Sequence, residues 1–231
     1  MYCIACKLIE MGIKDVLMNH LLQHKLISHH QHGFLSRKST TSQLLECCAD
    51  WNVAINTHNN IDVVYLDYAR AFDSVVHSKL LAKLSCYGID PVLLSWICSF
   101  LSNRFQYVKV DQSYSSVLPV ISGVPQGSVL GPVLYILYVN DICTLAPVGV
   151  TIKLFADDTK LYTVFSDRIP VDCLQFCLTA IFDWSQHWQL KLSPSNCSVM
   201  QSILTFNVPI FTSWFTILAK PDSQLLIVLP I

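Results

Sequence analysis

Charge is scarce in this chain of 231 residues: Asp, Glu, Lys and Arg make up 13%, hydrophobic residues make up 52%, and 15 basic groups stand against 16 acidic ones. The missing basic excess removes any argument for nucleic-acid binding from overall charge, because such binding needs a concentrated positive surface. Uninterrupted apolar runs are missing as well. The charge-free stretches 112–140 and 192–219 exceed the ~20 residues that span a bilayer. Yet Pro119, Pro125, Pro132, Gly123, Gly127 and Gly131 break the first, and Ser193, Pro194, Asn196, Gln201, Asn207 and Pro209 dilute the second. No charged start, apolar block and small-residue cleavage site open the chain, so secretion is not expected and an intracellular place, nucleus and/or cytoplasm, is. Ten cysteines then fit a reducing compartment, where free Cys acts as a small buried hydrophobe. Repeats, low-complexity tracts and Gly/Ser linkers are absent, and the length allows one large domain or two small ones.

What is present is a mixture of periods. Ile9, Ile13, Val16, Leu17 and Leu21 recur at helical steps, and the Ser39-Thr40-Thr41 region reads as the cap of a helix running through Leu44 and Leu45 toward Ile55. Residues 61–67, β-branched and aromatic, read as a buried strand. Residues 74–87 read as a helix closed by Gly88, 91–101 as a helix with Pro at its start, and 133–142 as an apolar helix. Residues 104–110 and 116–121 predict two strands joined around 111–113, and 151–156 with 160–165 predict a hairpin connected by Asp157, Asp158 and Thr159. Residues 172–189 are helical again. Strands and helices mixed with antiparallel hairpins predict an α+β fold, an antiparallel sheet packed on helices.

Three features carry chemistry. Cys3, Cys6, His20 and His24 approach a zinc-finger spacing. No hairpin is readable between the cysteines, however, and two histidines four apart on an apolar-periodic helix are ordinary. Asp157 and Asp158 at a hairpin tip are turn residues on the plain reading. On the chemical reading they meet a third carboxylate, Asp67, at the end of a strand so apolar that an unpaired charge there is costly. If the two strands are neighbours, Asp67 and Asp157 converge, divalent ions offset their repulsion, and in-line phosphoryl transfer becomes possible. The Gly-rich segment 122–128 is a turn-rich linker, or a place where backbone approaches a flat ligand beside Gln126. It lacks the GKS or GKT ending of a P-loop.

In order and spacing, five blocks resemble the reverse transcriptase domain of LINE-type (non-LTR) retrotransposons: HGF at 32–34 through KST at 38–40, VYLDYARAFDSV at 64–75, SGVPQGSVLGP at 122–132, FADD at 155–158, and residues 184–197. The resemblance implies a right-hand polymerase palm with partial fingers, the palm over 61–200 and the fingers over 1–60. It implies RNA-directed DNA polymerase activity by two-metal nucleotidyl transfer from dNTP to the 3′-hydroxyl of a DNA primer on an RNA template. Asp67, Asp157 and Asp158 would be the catalytic and metal-binding carboxylates and the Tyr68 carbonyl a further metal contact, with two Mg²⁺ ions (or Mn²⁺) as cofactor. Lys38 and Arg37 would face the triphosphate. Phe72 would exclude a 2′-hydroxyl, and Gln126 and Gly127 would support nucleotide and template. Asp73 reads as the N-cap of the following helix, and Trp184 and Trp188 as packing residues.

The chain departs from the family pattern in three places. The block expected ahead of the first helix is missing, so the fingers should be truncated. Asn196 stands where the pattern has a Lys that could act as general acid. Beyond about residue 200 the resemblance stops: 201–231, with Lys220 and Asp222 as its charges, reads as an unrelated or frameshifted apolar tail with no thumb. A non-catalytic nucleic-acid or protein binding remnant is the alternative.

Overall fold

The computed structural model describes residues 4–166, 171–205, 208–219 and 225–227. In chain order its main elements are helices α1 (Ile4–Gln23) and α2 (Thr40–Asn56), strand β1 (Asn60–Leu66), helices α3 (His77–Cys86) and α4 (Pro91–Leu101), and short strands β2 (Phe105–Gln106), β3 (Lys109–Val110), β4 (Ser113–Tyr114) and β5 (Leu118–Pro119). Helix α5 (Gly131–Val139), strands β6 (Val150–Phe155) and β7 (Asp158–Phe165), helix α6 (Val171–Trp188) and strands β8 (Ser198–Thr205), β9 (Val208–Ala219) and β10 (Leu225–Ile227) follow. The expected mixture of helices and antiparallel sheet is what forms. Among the described residues no helix is long and apolar enough to cross a membrane. The chain divides into two compact units, Met1–Ile27 with Arg70–Tyr138, and Ser28–Ala69 with Val139–Ile231.

The second unit is built on a sheet of order β10-β9-β8-β1-β7-β6, every ladder antiparallel. Strand β1 is central because both its faces are apolar. Ile61, Val63 and Tyr65 alternate onto the face packed by Cys47, Trp51, Ala54 and Ile55 of α2, while Val64 and Leu66 are buried on the other. Helix α2 begins in a capping box: Ser39 Oγ accepts from the Ser42 N–H at 3.1 Å and Ser42 Oγ from the Ser39 N–H at 2.9 Å. Leu44 and Leu45 of this helix are exposed, and burial falls on Gln43, Cys47 and Ala54. Strand β8 pairs Ile61 with Ser202, so the sheet continues past residue 200.

Lys153 of β6 is buried, and its ammonium donates to Glu46 of α2 at 2.6 Å. His32 Nε2 stands 3.3 Å from the same carboxylate. The hydrogen bond from Lys153 holds the Glu46 carboxyl below its ordinary value, so this contribution is present at neutral pH and is lost as pH falls through the lowered value. Glu46→Ala leaves a buried ammonium unpaired. It should cost about 1 to 3 kcal/mol in urea unfolding at neutral pH, a deficit that narrows in acid.

In the first unit, α5 is almost wholly apolar and buried, with Val133, Leu134, Tyr135, Ile136, Leu137 and Tyr138 at 1% exposure or less. Its two ends are met by long-range charges. Glu10, buried on α1, accepts from the Val129 and Leu130 N–H groups at 2.7 and 3.2 Å. Lys83, buried on α3, donates to the Tyr138 carbonyl. An acid at the start and a cation at the end match the helix dipole. Ile9 and Val16 of α1, by contrast, are exposed, and its buried positions are Glu10, Leu17 and Leu21.

Several local expectations are corrected. Asp73 does not cap the following helix: it lies in a 3-10 turn (Ala71–Ser74), and α3 starts after Val76 with no side-chain cap. The strands expected over 104–110 and 116–121 are two short ladders, β2 with β5 and β3 with β4. Between them the Val108 N–H donates to Ser115 Oγ at 2.8 Å instead of to a strand carbonyl. Helix α5 stops at Val139, where a 3-10 turn (Asn140–Leu145) takes over. In the zinc-finger reading, Cys3 lies outside the described residues, and His20 Nε2 donates to the Tyr87 carbonyl at 2.9 Å. The cysteines of the described residues are free.

Candidate active site

Strands β1 and β7 pair antiparallel with Leu66 opposite Thr159 as the final pair. Asp67, one residue beyond β1, and Asp158, the first of β7, are therefore brought to one end of the sheet. The β6–β7 connection is tighter than expected. Phe155 pairs with Asp158, leaving Ala156 and Asp157 as a two-residue turn in which Ala156 has φ 56°. All three carboxylates thus belong to the second unit, and Asp67 and Asp158 line one cavity of about 270 Å³ together with Lys160 and Asn196.

Asp67 is held from the chain segment after α6. Its N–H donates to Cys197 Sγ at 3.4 Å, its carbonyl accepts from the Ser193 N–H at 2.9 Å, and Asn196 Nδ2 donates to its Oδ2 at 2.8 Å. Tyr68 forms an isolated antiparallel bridge with Leu192, and burial pushes its phenol far above the ordinary range. Ser193, Asn196 and Cys197, at the end of the 184–197 block whose pattern has a Lys at position 196, thus hold Asp67.

The hairpin tip is fixed by Gln31, which no motif marks, and by Gly33 of the HGF block. Gln31 is fully buried and forms a parallel bridge with Leu154. Its Oε1 accepts from the Gly33 N–H at 2.7 Å and from the Ala156 N–H at 3.1 Å. Gly33 lies so close that a Cβ there would sit 2.3 Å from the Ala156 nitrogen. The only signal was the HGF block itself, which named Gly33 without saying what it touches.

Burial raises the carboxyls of Asp157 and Asp158. Repulsion adds to this, from Asp67 on Asp157 and from Asp157 and then Asp67 on Asp158, with Lys160 opposing it at Asp158. Lys160 itself is held over the rings of Trp51 and Tyr65, at 5.7 and 5.2 Å. Three hard anionic side chains that repel one another suit a divalent cation. Among the described residues no group of three or more His, Cys, Asp or Glu is arranged to hold a metal ion by itself.

The raised values have a stability consequence. An acid whose folded pKa is raised leaves stability greatest below the unfolded value, roughly 3.9, and reduces it as pH rises through the folded value. Asp158→Asn should therefore melt higher than the wild type at pH 7 without added metal and lose that advantage toward pH 3. Mg²⁺ should raise the wild-type melting temperature more than the variant's. Equal melting at pH 7 would contradict the repulsion.

Lys38 and Arg37 also lie in the second unit. Arg37 is exposed with φ 63°. Lys38 donates to the His29 carbonyl, and burial lowers its pKa, with Glu46 opposing. Burial, then the charge of His29, lowers His30 to about 4.

Phe72, Gln126 and Gly127 belong to the first unit. The Phe72 ring stacks on Tyr135, centroids 4.2 Å apart and planes at 16°. The Val124 N–H donates to the Phe72 carbonyl at 2.9 Å and the Gly123 N–H to that of Val75 at 2.8 Å, so the 122–128 segment is laced onto the turn that carries Phe72. A Cβ at Gly123 would meet Asp73 Cα at 2.8 Å. Gln126 is exposed, and its Nε2 donates to Asp73 Oδ1 at 2.8 Å. Asp73, expected as a helix cap, instead orients Gln126. Gly127 turns with φ 80°.

The family model described as reverse transcriptase (RNA-dependent DNA polymerase) matches residues 1–210. Over 200 residues the chain is 34% identical to the RNA-directed DNA polymerase from mobile element jockey of Drosophila melanogaster, covering 80% of this chain and 21% of that protein. Over 215 residues it is 30% identical to the probable RNA-directed DNA polymerase from transposon BS of the same fly, covering 88% and 24%. It thus spans about a quarter or less of the curated relatives' length. Apo telomerase from Candida tropicalis, truncated from its C-terminal domain, superposes with a TM-score of 0.65 at 14% identity over 85% of this chain and 41% of that one, a likeness of polymerase fold. The chain belongs to the reverse transcriptase (RNA-dependent DNA polymerase) family, as a domain of the non-LTR retrotransposon kind.

Proposed function

We propose that this chain carries the nucleotidyl-transfer site of an RNA-directed DNA polymerase, extending a DNA primer with dNTPs on an RNA template. The observation that carries the reading is the juxtaposition of Asp67 with the Asp157–Asp158 hairpin at one end of neighbouring strands β1 and β7. In this reading 61–200 works as palm and 1–60 as partial fingers. Asp67 and Asp157, supported by Asp158 and the Tyr68 carbonyl, hold the ions. Divalent cations, Mg²⁺ by the hardness of these oxygens, supply when bound the charge that activates the primer 3′-hydroxyl and stabilises departing pyrophosphate.

The chain's own residues do the rest. Asn196 keeps the Asp67 carboxylate in one rotation through its 2.8 Å hydrogen bond. Asn has no acidic proton, so the proton for pyrophosphate comes from water. Lys38, whose ammonium donates to the His29 carbonyl, pairs with the triphosphate together with Arg37. Phe72, braced by Tyr135, sets its ring against the sugar and excludes a 2′-hydroxyl. Gln126 and Gly127 carry nucleotide and template, the Gln126 amide held by Asp73.

Incorporation of labelled dNTP on an RNA template with a DNA primer and Mg²⁺ tests the reading. Incorporation of the complementary nucleotide only is expected. No incorporation above an Asp67→Asn control would sink the enzyme reading and leave a binding remnant.

A further inference from the structure

The turn that carries Asp157 is strained. Ala156, its first residue, has φ 56°, a left-handed conformation in which the Cβ of an L-residue crowds a carbonyl oxygen and which glycine adopts freely. A residue keeps such a conformation only where its surroundings over-determine it. Here they are Gln31 and Gly33. Gln31 Oε1 accepts from the Ala156 N–H at 3.1 Å and from the Gly33 N–H at 2.7 Å, and a Cβ at Gly33 would collide with the Ala156 nitrogen. The oxygen is itself anchored, because the Gln31 backbone bridges Leu154 while His30 and His32 bond the Leu154 N–H and carbonyl. One side chain thus ties strand β6 to the turn that ends it.

The other half of the amide is unsatisfied. Gln31 is fully buried, yet its Nε2 has no hydrogen-bond partner among the described residues. Burying an unpaired NH₂ is unfavourable, and an apolar side chain of similar length would avoid it, so what keeps glutamine here is its oxygen. Glutamate would supply that oxygen too, but as a further negative charge close to Asp157 and Asp158, which already repel each other and Asp67. Glutamine accepts at this reach without adding charge.

We propose that Gln31 is a positioning residue of the nucleotidyl-transfer site: its amide oxygen holds Ala156 left-handed and thereby fixes where the Asp157 carboxylate stands. The proposal rests on the polymerase reading for what Asp157 does, and on the hydrogen bonds alone for how the turn is held. A carboxylate displaced by about an ångström loses alignment with the reacting groups, so turnover suffers more than nucleotide affinity.

The test compares the full chain with Gln31→Met, which keeps the length and removes the oxygen, with Gln31→Met/Ala156→Gly, and with Ala156→Gly alone. Hydrogen exchange read by mass spectrometry should be roughly tenfold to a hundredfold faster at residues 155–158 in the Met variant, with the β1–β8 ladder unchanged. Its kcat for dNTP incorporation should fall on the order of tenfold to a hundredfold while KM stays within about twofold. Glycine takes the left-handed conformation without strain, so the double variant should regain part of that kcat, and Ala156→Gly alone should melt no lower than the wild type. Unchanged exchange at 155–158, exchange accelerated equally throughout the chain, a KM change as large as that in kcat, no recovery in the double variant, or a lower melting temperature for Ala156→Gly would overturn the proposal. A wild type that incorporates no dNTP, with exchange at 155–158 still faster in the Met variant, would overturn the polymerase reading alone.

Discussion

Asp157→Asn is expected to lower nucleotide incorporation by roughly three to four orders of magnitude while leaving the fold intact. The carboxylate lies in a two-residue turn whose backbone is fixed by Gln31 and by the Phe155–Asp158 pair, so an isosteric amide changes charge and little else. In the proposed reaction the charge is what the chemistry needs: a metal ligand that helps stabilise several units of phosphate charge would account for several kcal/mol of the barrier, and each 1.36 kcal/mol is about tenfold in rate. The same substitution relieves the repulsion felt from Asp67, so the inactive variant should be at least as heat-stable as the wild type at neutral pH. Lost activity with raised stability is the signature of a strained functional site. Lost activity with lost stability would mean that Asp157 works as an ordinary turn residue.

Gly33→Ala should produce the largest structural effect of any single methyl group added at a described glycine. A Cβ at position 33 would lie 2.3 Å from the Ala156 nitrogen and 3.0 Å from its Cα, and both are backbone atoms that no rotamer change can move. The 31–33 segment is also tied to β6 by backbone hydrogen bonds from His32 to Leu154 and from Leu154 to His30, at 2.8 and 2.9 Å. The clash must therefore be relieved by moving the hairpin itself. Denaturant unfolding should show a loss of about 2 to 4 kcal/mol. Because Asp157 follows Ala156, a displacement of about an ångström should also cost on the order of a hundredfold in turnover. Gly12→Ala in α1 is the contrast: nothing lies within 4 Å of a Cβ there, and the change should be neutral or stabilising by up to about 1 kcal/mol.

The parts of the site that could be read from the chain are those set by local patterning. The two-sided apolar run before Asp67 marks a central strand and the aspartate pair marks a hairpin tip, whereas the antiparallel pairing of β1 with β7 is a fact of the fold that neither run specifies. The Asp90–Pro91 cap fixes α4 at the residues expected, Asp90 Oδ1 accepting from Val92 N–H at 2.8 Å. What the chain concealed depends on partners far away in sequence. Glu10 looks like a polar lapse in an apolar helix until Val129 and Leu130 present their N–H groups to it. Asp73 has every local reason to cap a helix, and loses that role to Gln126, 53 positions on. Gln31 carries no local signal at all, because its function is to accept from Gly33 and Ala156 at once. Asn196 is legible only as a departure from a pattern; that its amide bonds Asp67 is a fact of the fold.

The central claim is that Asp67, Asp157 and Asp158 form a site for divalent cations shared with a nucleoside triphosphate. Titration of Mn²⁺ followed by electron paramagnetic resonance tests it directly, using the full chain with and without dNTP beside the Asp67→Asn/Asp157→Asn double variant. Bound Mn²⁺ that increases with dNTP in the wild type and is lost in the double variant is the predicted result. Equal Mn²⁺ binding by both chains, or none by the wild type in the presence of dNTP, would contradict the account.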